Sequence, residues 1–373
     1  MAVYLISAIL FALVGYETFN PKSQLNGQKF FFIWIVLSLF WGLSFVYAPD
    51  IPGYIAYFNK EVYDWFESGF KLPKISFEYG FNVLSCILKS LNNEYYVYQL
   101  ILFSSELLLV MIGLKKLLDT NNTIIFVCAL FFILPLNLLG ALRQGISISL
   151  FIFSLHYIIE RNLLKYILII VFASFFHKSS LFLLLLFWIP KCRSLLLKKN
   201  ILLACLVILN ICYFSGFSIS NSLNTFLLMS FDLYEGVETY ARYTDAGVIS
   251  SNFGLAKVFE MNVVYILFLI VNKDDSKAIE LLKLFFLVYF MLNMLLGGIL
   301  AHRIGYYFIL IYQICLIMSF CMFAKHLLKR PEIGFLFTCV YFIFLNLFYF
   351  QNSLSKEIVY RNLFWEHIFN GSY

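Results

Sequence analysis

Eleven apolar runs of 14 to 28 residues, separated by polar stretches, constrain the fold more than any other feature of the chain. They cover residues 2–19, 30–47, 95–114, 123–139, 146–159, 163–190, 201–216, 258–271, 281–300, 304–324 and 333–350. A helix that crosses a bilayer needs about 20 mostly apolar residues. An unpaired backbone polar group in lipid costs several kcal/mol, so a spanning segment must satisfy its own hydrogen bonds. Strand-length alternation of apolar and polar residues is absent, which argues against a β-barrel. Only 13% of the residues are charged and 62% are hydrophobic, against about 25% charged in a soluble domain. The runs therefore predict an all-α, polytopic transmembrane helical bundle of ten to twelve membrane segments. No low-complexity linker or inverted repeat divides it, so residues 1–373 read as one membrane domain.

The run 163–190 is too long for one simple span and carries Phe-Phe-His177-Lys178-Ser179-Ser180 at its middle. A lysine at the centre of a lipid-exposed helix costs about 2.5–3.5 kcal/mol on insertion scales. A hairpin broken at His177 avoids that cost. Basic residues decide between the two, because Lys and Arg gather in short cytoplasmic loops. With the hairpin, loops 20–29, 115–122, 160–165, 191–199, 272–283 and 325–331 share one side and hold 16 of the 27 Lys and Arg. A continuous span moves the later loops across and loses that asymmetry. The hairpin reading puts both termini outside, with larger outer pieces at 48–94, 217–256 and 351–373. The turns near Arg143, His177 and Arg303 then open on that same outer face.

The net charge of +6 is spent in these loops, so it sets orientation and gives no reason to expect nucleic acid. The first run lacks a basic leader and a small-residue cleavage site and is expected to remain. Eight cysteines with no C-x-x-C pair read as packing residues.

Candidate site residues collect on the outer side. Arg143, in Leu142-Arg143-Gln144-Gly145, stands at a helix start in apolar surroundings, where an arginine faces either the interface or a partner. Its planar fork suits a phosphate. Arg303, in His302-Arg303-Ile-Gly-Tyr306, repeats the argument, and Arg242 lies in the second outer loop as a helper or a solvated charge. Two or three such arginines can hold one diphosphate and stabilise it as it leaves. His177 can accept a proton or hold a phosphate; it can also be a hydrogen-bonded packing group. No second histidine or carboxylate stands at metal-ligand spacing from it, so neither a metal nor a cofactor is expected.

Asp50 precedes a short interfacial helix with Tyr54 at i+4, as a site residue or an N-cap. Glu78 opens an amphipathic stretch reaching Leu91 that suits the membrane surface. Outer tyrosines, Tyr54 and Tyr306 among them, suit an interfacial belt or stacking on sugar rings. No phosphate-cradling glycine loop, G-x-S-x-G or H-E-x-x-H motif is present.

In order along the chain, Asp50-x-x-x-Tyr54, Phe77-Glu78-Tyr79-Gly80-Phe81, Leu142-Arg143-Gln144-Gly145-Ile146-Ser147, Phe176-His177-Lys178-Ser179-Ser180-Leu181 and Arg303-x-x-Tyr306 make a recognisable set. With its topology the chain resembles the Wzy and EpsG-type oligosaccharide repeat-unit polymerases of bacterial O-antigen, capsule and exopolysaccharide pathways. Tyr360-Arg361-Asn362 resembles the family's closing segment but lacks an expected proline. The resemblance implies a multi-pass protein of the bacterial cytoplasmic membrane acting on undecaprenyl-diphosphate-linked oligosaccharide at the outer face. It implies transfer of the growing glycan from its lipid carrier onto another lipid-linked unit, with a chain-length regulator as a further partner. On that reading Arg143 and Arg303, helped by Arg242, hold the diphosphate, and Gln144, Tyr54 and Tyr306 help bind it and the glycan. The base is Asp50, Glu78 or His177.

Three other classes compete. Another lipid-dependent glycosyltransferase or ligase shares the chemistry. A flippase wants charge along a path through the bundle. A membrane acyltransferase wants its histidine to meet a cytoplasmic acyl donor.

Overall fold

The computed structural model describes residues 27–45, 51–74, 77–118, 140–216, 255–271, 276–295, 298–327 and 361–362. The runs 2–19, 123–139 and 333–350 lie outside these residues. The chain groups into two units, residues 1–181 with 336–373, and residues 182–335.

The first unit contains α1 (Gly27–Gly42), β1 (Ser44–Phe45), α2 (Ile51–Lys60), α3 (Tyr79–Leu91), α4 (Tyr95–Leu118), α5 (Leu142–Ile159) and α6 (Leu163–Ser174). The short strand β1 pairs antiparallel with β2 (Arg361–Asn362), Ser44 opposite Asn362 and Phe45 opposite Arg361. Helix α4 is the hub, packed along both α1 and α5. Bare backbone makes its contact with α5 close: a Cβ on Gly113 would stand 2.6 Å from the Ile152 carbonyl oxygen. Small residues at helix crossings do this in lipid, where dispersion and hydrogen bonds drive association. At the other end of α4, the buried Gln99 amide donates to the Gly42 carbonyl at 2.9 Å and fixes the end of α1.

The turn from α5 into α6 is written locally. Arg161 takes a left-handed φ of 59°, and the Asn162 side chain then accepts from the Lys165 amide at 3.2 Å as an N-cap. Helix α6 stops at Ser174, after 12 residues, or about 18 Å of rise. The Ala173 carbonyl collects the freed donors, accepting from the Phe176 and His177 amides and from the Ser147 hydroxyl on α5 at 2.8 Å.

The Ser180 hydroxyl reaches back to the Ile170 carbonyl at 3.5 Å. This is the expected break at His177, with one difference. The second arm, Lys178–Cys192, is a 15-residue 3-10 helix and not a short α-helix. At about 2.0 Å per residue it reaches roughly 30 Å, the thickness of the hydrocarbon core.

The second unit continues with α7 (Arg193–Leu196), α8 (Lys199–Phe214), α9 (Leu255–Val264), a π-helix (Tyr265–Val271), α10 (Lys277–Leu295) and α11 (Gly298–Leu327). Polar groups stitch these apolar helices together. Asn210 on α8 and Asn262 on α9 exchange amide hydrogen bonds of 2.7 and 2.9 Å, and the Tyr265 hydroxyl donates to the Leu202 carbonyl at 2.8 Å. Two loop assignments shift. Lys283, expected in a basic loop, is buried within α10, and His302 and Arg303 stand in the second turn of α11 instead of in a turn before it.

Five helices among the described residues are long and apolar enough to cross a membrane: Tyr95–Leu118, Leu142–Ile159, Lys178–Leu196, Lys277–Leu295 and Arg303–Phe320. Gly27–Gly42, Leu163–Ser174 and Lys199–Phe214 are shorter apolar helices. The chain is an all-α polytopic membrane protein.

Candidate functional site

Glu78 occupies the N-cap position of α3, yet its side chain makes no capping bond to its own helix. Another segment takes up one of those amide donors: the Gly80 N–H donates to the Phe175 carbonyl, on the turn that leads to His177, at 2.9 Å. Contact is close enough that a Cβ on Gly80 would stand 2.8 Å from Phe175, so only glycine fits without displacement.

The Glu78 carboxylate turns to Arg143 at the start of α5 and accepts from Nη1 at 2.6 Å. With a cation as donor and a carboxylate as acceptor, this is a charge-assisted bond. The guanidinium lies over the Phe77 ring, its central carbon 4.3 Å from the centroid, with the Tyr54 hydroxyl beside it. Its Nε is buried with no hydrogen-bond partner among the described residues. Tyr54 in turn packs edge-on against Phe81, centroids 6.0 Å apart.

A buried network backs this cluster. The Tyr57 hydroxyl donates to Asn82 Oδ1 at 2.7 Å, and the Asn82 amide donates to the Phe77 carbonyl at 3.1 Å. Burial raises the Tyr57 hydroxyl well above the ordinary phenol range, partly offset by a hydrogen bond with Ser85. The Lys89 ammonium donates to the Phe58 carbonyl at 2.7 Å, and burial lowers its pKa. The stretch expected to lie on the membrane surface thus has one face, Phe81, Asn82, Ser85, Cys86 and Leu88, buried in the unit.

Four sequence motifs therefore meet at one place. Tyr54, Glu78 and Arg143 touch, and the Gly80–Phe175 bond ties them to the turn carrying His177. His177 is half-buried, with Nδ1 2.7 Å from the Ser179 hydroxyl. Gln144 is buried in the first turn of α5. Arg303 and Tyr306 are half-buried on α11, in the other unit. Asp50 and Arg242 lie outside the described residues.

Sequence reasoning passed over three features. Phe77 was part of a motif, yet its place beneath Arg143 has no signature in spacing. Glu106, in the middle of α4, is 1% exposed, and both its oxygens are without a hydrogen-bond partner among the described residues. In the second unit, Glu260 accepts from Lys257 at 2.5 Å and from the Tyr312 hydroxyl, with the ammonium 4.3 Å above the Tyr312 ring. Lone charges within apolar runs are the signal that points to both groups.

The fold and this cluster define a class: a multi-pass helical membrane protein with a paired guanidinium and carboxylate at the end of a span. A family model described as the EpsG family matches residues 29–363, and the chain belongs to that family. This is the family of EpsG/Wzy-type polymerases, and membership supports a polysaccharide-polymerase type of role in general terms. No curated protein and no solved structure matches the chain.

Proposed function

We propose that the chain joins undecaprenyl-diphosphate-linked oligosaccharide repeat units at the outer face of the bacterial cytoplasmic membrane. A hydroxyl at the non-reducing end of one unit attacks the anomeric carbon of another glycan. The bond from that carbon to the diphosphate oxygen breaks, the diphosphate leaves on its lipid carrier, and the hydroxyl proton passes to a base. Arg143 holds the diphosphate, and Gln144 and Tyr54 orient diphosphate and glycan; Arg303, Arg242 and Tyr306 are the further residues that the family resemblance assigns to substrate binding. Glu78, His177 or Asp50 takes the proton. No step needs a metal, and a chain-length regulator is the expected protein partner.

The observation that carries this reading is Arg143 at the first turn of a span, held by Tyr54 and Glu78 over Phe77. A membrane-anchored diphosphate presents its charge at headgroup depth, where a helix start with its free amides and a guanidinium stabilises it best. EpsG-family membership supports a polysaccharide-polymerase type of role, with which this chemistry agrees.

Deletion followed by gel analysis of the surface glycan tests it. Loss of a polymerase leaves acceptor bearing at most one repeat unit. Loss of even that unit indicates a flippase, and an unchanged ladder indicates a decorating acyltransferase; either contradicts the proposal.

A further inference from the structure

Glu78 poses a question that its candidacy as a base leaves open: why a site meant for an anion carries its own. We propose that Glu78 is a specificity-determining residue, a tethered monoanion that keeps phospholipid headgroups off Arg143 and yields only to a diphosphate. The inference rests on Arg143 being the diphosphate site.

Three observations support it. The carboxylate is committed to Arg143 at 2.6 Å and to no cap of its own helix. Glu78 is also tethered, because its neighbour Gly80 is pinned to Phe175, which gives its carboxylate a high effective concentration at the guanidinium. Finally, the occupation is partial: Arg143 Nε is without a partner among the described residues, and the arginine side chain remains 27% exposed.

The charge arithmetic follows. An anionic phospholipid headgroup carries one negative charge, so exchanging it for Glu78 gains no Coulomb energy and loses the tether. A disubstituted diphosphate carries two charges and oxygens on two phosphorus atoms. It can replace the carboxylate on Nη1 and engage other donors together, in the bidentate manner guanidinium groups favour. Discrimination then comes from making the wrong ligand compete with a built-in one.

The test measures inorganic diphosphate binding by the full-length protein in nanodiscs of phosphatidylcholine alone or with added phosphatidylglycerol. In phosphatidylcholine, Glu78→Gln is expected to tighten binding about three- to tenfold, because the competitor is gone. Phosphatidylglycerol should then weaken binding by Glu78→Gln more than by the wild type, while Glu78→Asp, which keeps the charge, should behave like the wild type. Weaker binding by Glu78→Gln in phosphatidylcholine, or the same lipid dependence as the wild type, overturns the inference and makes Glu78 a support for Arg143. Arg143→Ala separates the two readings: it should abolish binding whatever Glu78 does, and undiminished binding removes the diphosphate assignment itself.

Discussion

Gly80 and Phe175 are joined backbone to backbone, the glycine amide donating to the phenylalanine carbonyl at 2.9 Å with no space for a side chain between them. This one bond docks the start of the helix following Glu78 onto the turn that carries His177. Two motifs about a hundred positions apart in the sequence become one structure through it.

Gly80→Ala should therefore separate the two. Its new Cβ meets the Cβ and carbonyl oxygen of Phe175, each at 2.8 Å, and backbone yields poorly. Overpacking of this kind costs about 1–3 kcal/mol. The expected result is a lower unfolding temperature in detergent together with a shortened glycan ladder. A full-length ladder with wild-type stability contradicts the docking.

Gly113→Val tests the packing hub independently of the site. The substitution drives a branched side chain into the Ile152 and Phe153 backbone, so it should destabilise the α4–α5 pair by about 1–3 kcal/mol or more. Thermal unfolding of the purified protein reads the effect, and an unchanged transition would mean the helices are not in contact there.

Tyr57→Phe should change the alkaline response. Burial holds the Tyr57 hydroxyl above its usual value, so the folded state keeps a proton that the unfolded chain gives up near pH 10. Its contribution is complete below that pH and is lost as pH rises toward the folded value. The variant should show a shallower loss of stability above about pH 10. Near neutrality it should be less stable by about 1–3 kcal/mol, because the Asn82 amide oxygen loses its donor. Unfolding curves across pH check both signs.

Glu106→Leu should stabilise. Replacing a buried polar group that has no partner among the described residues with an apolar group of similar size removes a penalty of about 1–3 kcal/mol. A higher unfolding temperature with an intact ladder is expected; a loss of activity at retained stability would instead give Glu106 a working role.

What the sequence made legible follows from which forces act locally. Run lengths and the loop distribution of Lys and Arg are one-dimensional properties, so the all-α membrane architecture and the break at His177 could be read directly. The 3-10 geometry of Lys178–Cys192 could not, since length alone does not set rise per residue. Each of the candidates Tyr54, Glu78 and Arg143 had its own local signal: spacing from Asp50, the start of an amphipathic stretch, and a charge in apolar surroundings. Their mutual contact had none, because it depends on how α2, α3 and α5 pack. The Lys257–Glu260–Tyr312 group matched no motif template, and Tyr312 stands 52 positions from Glu260. Lys283 and Arg303 fell on the wrong side of a helix boundary, the place where apolar patterning is least decisive.

The central claim is that the Arg143 guanidinium grips the leaving diphosphate, and one substitution addresses it most directly. Arg143→Lys keeps the positive charge but removes the planar fork that bonds an anion through two donors. Glycan ladders from cells carrying this variant at wild-type membrane levels should collapse to single repeat units. A ladder of normal length from an equally abundant Arg143→Lys protein would contradict the account.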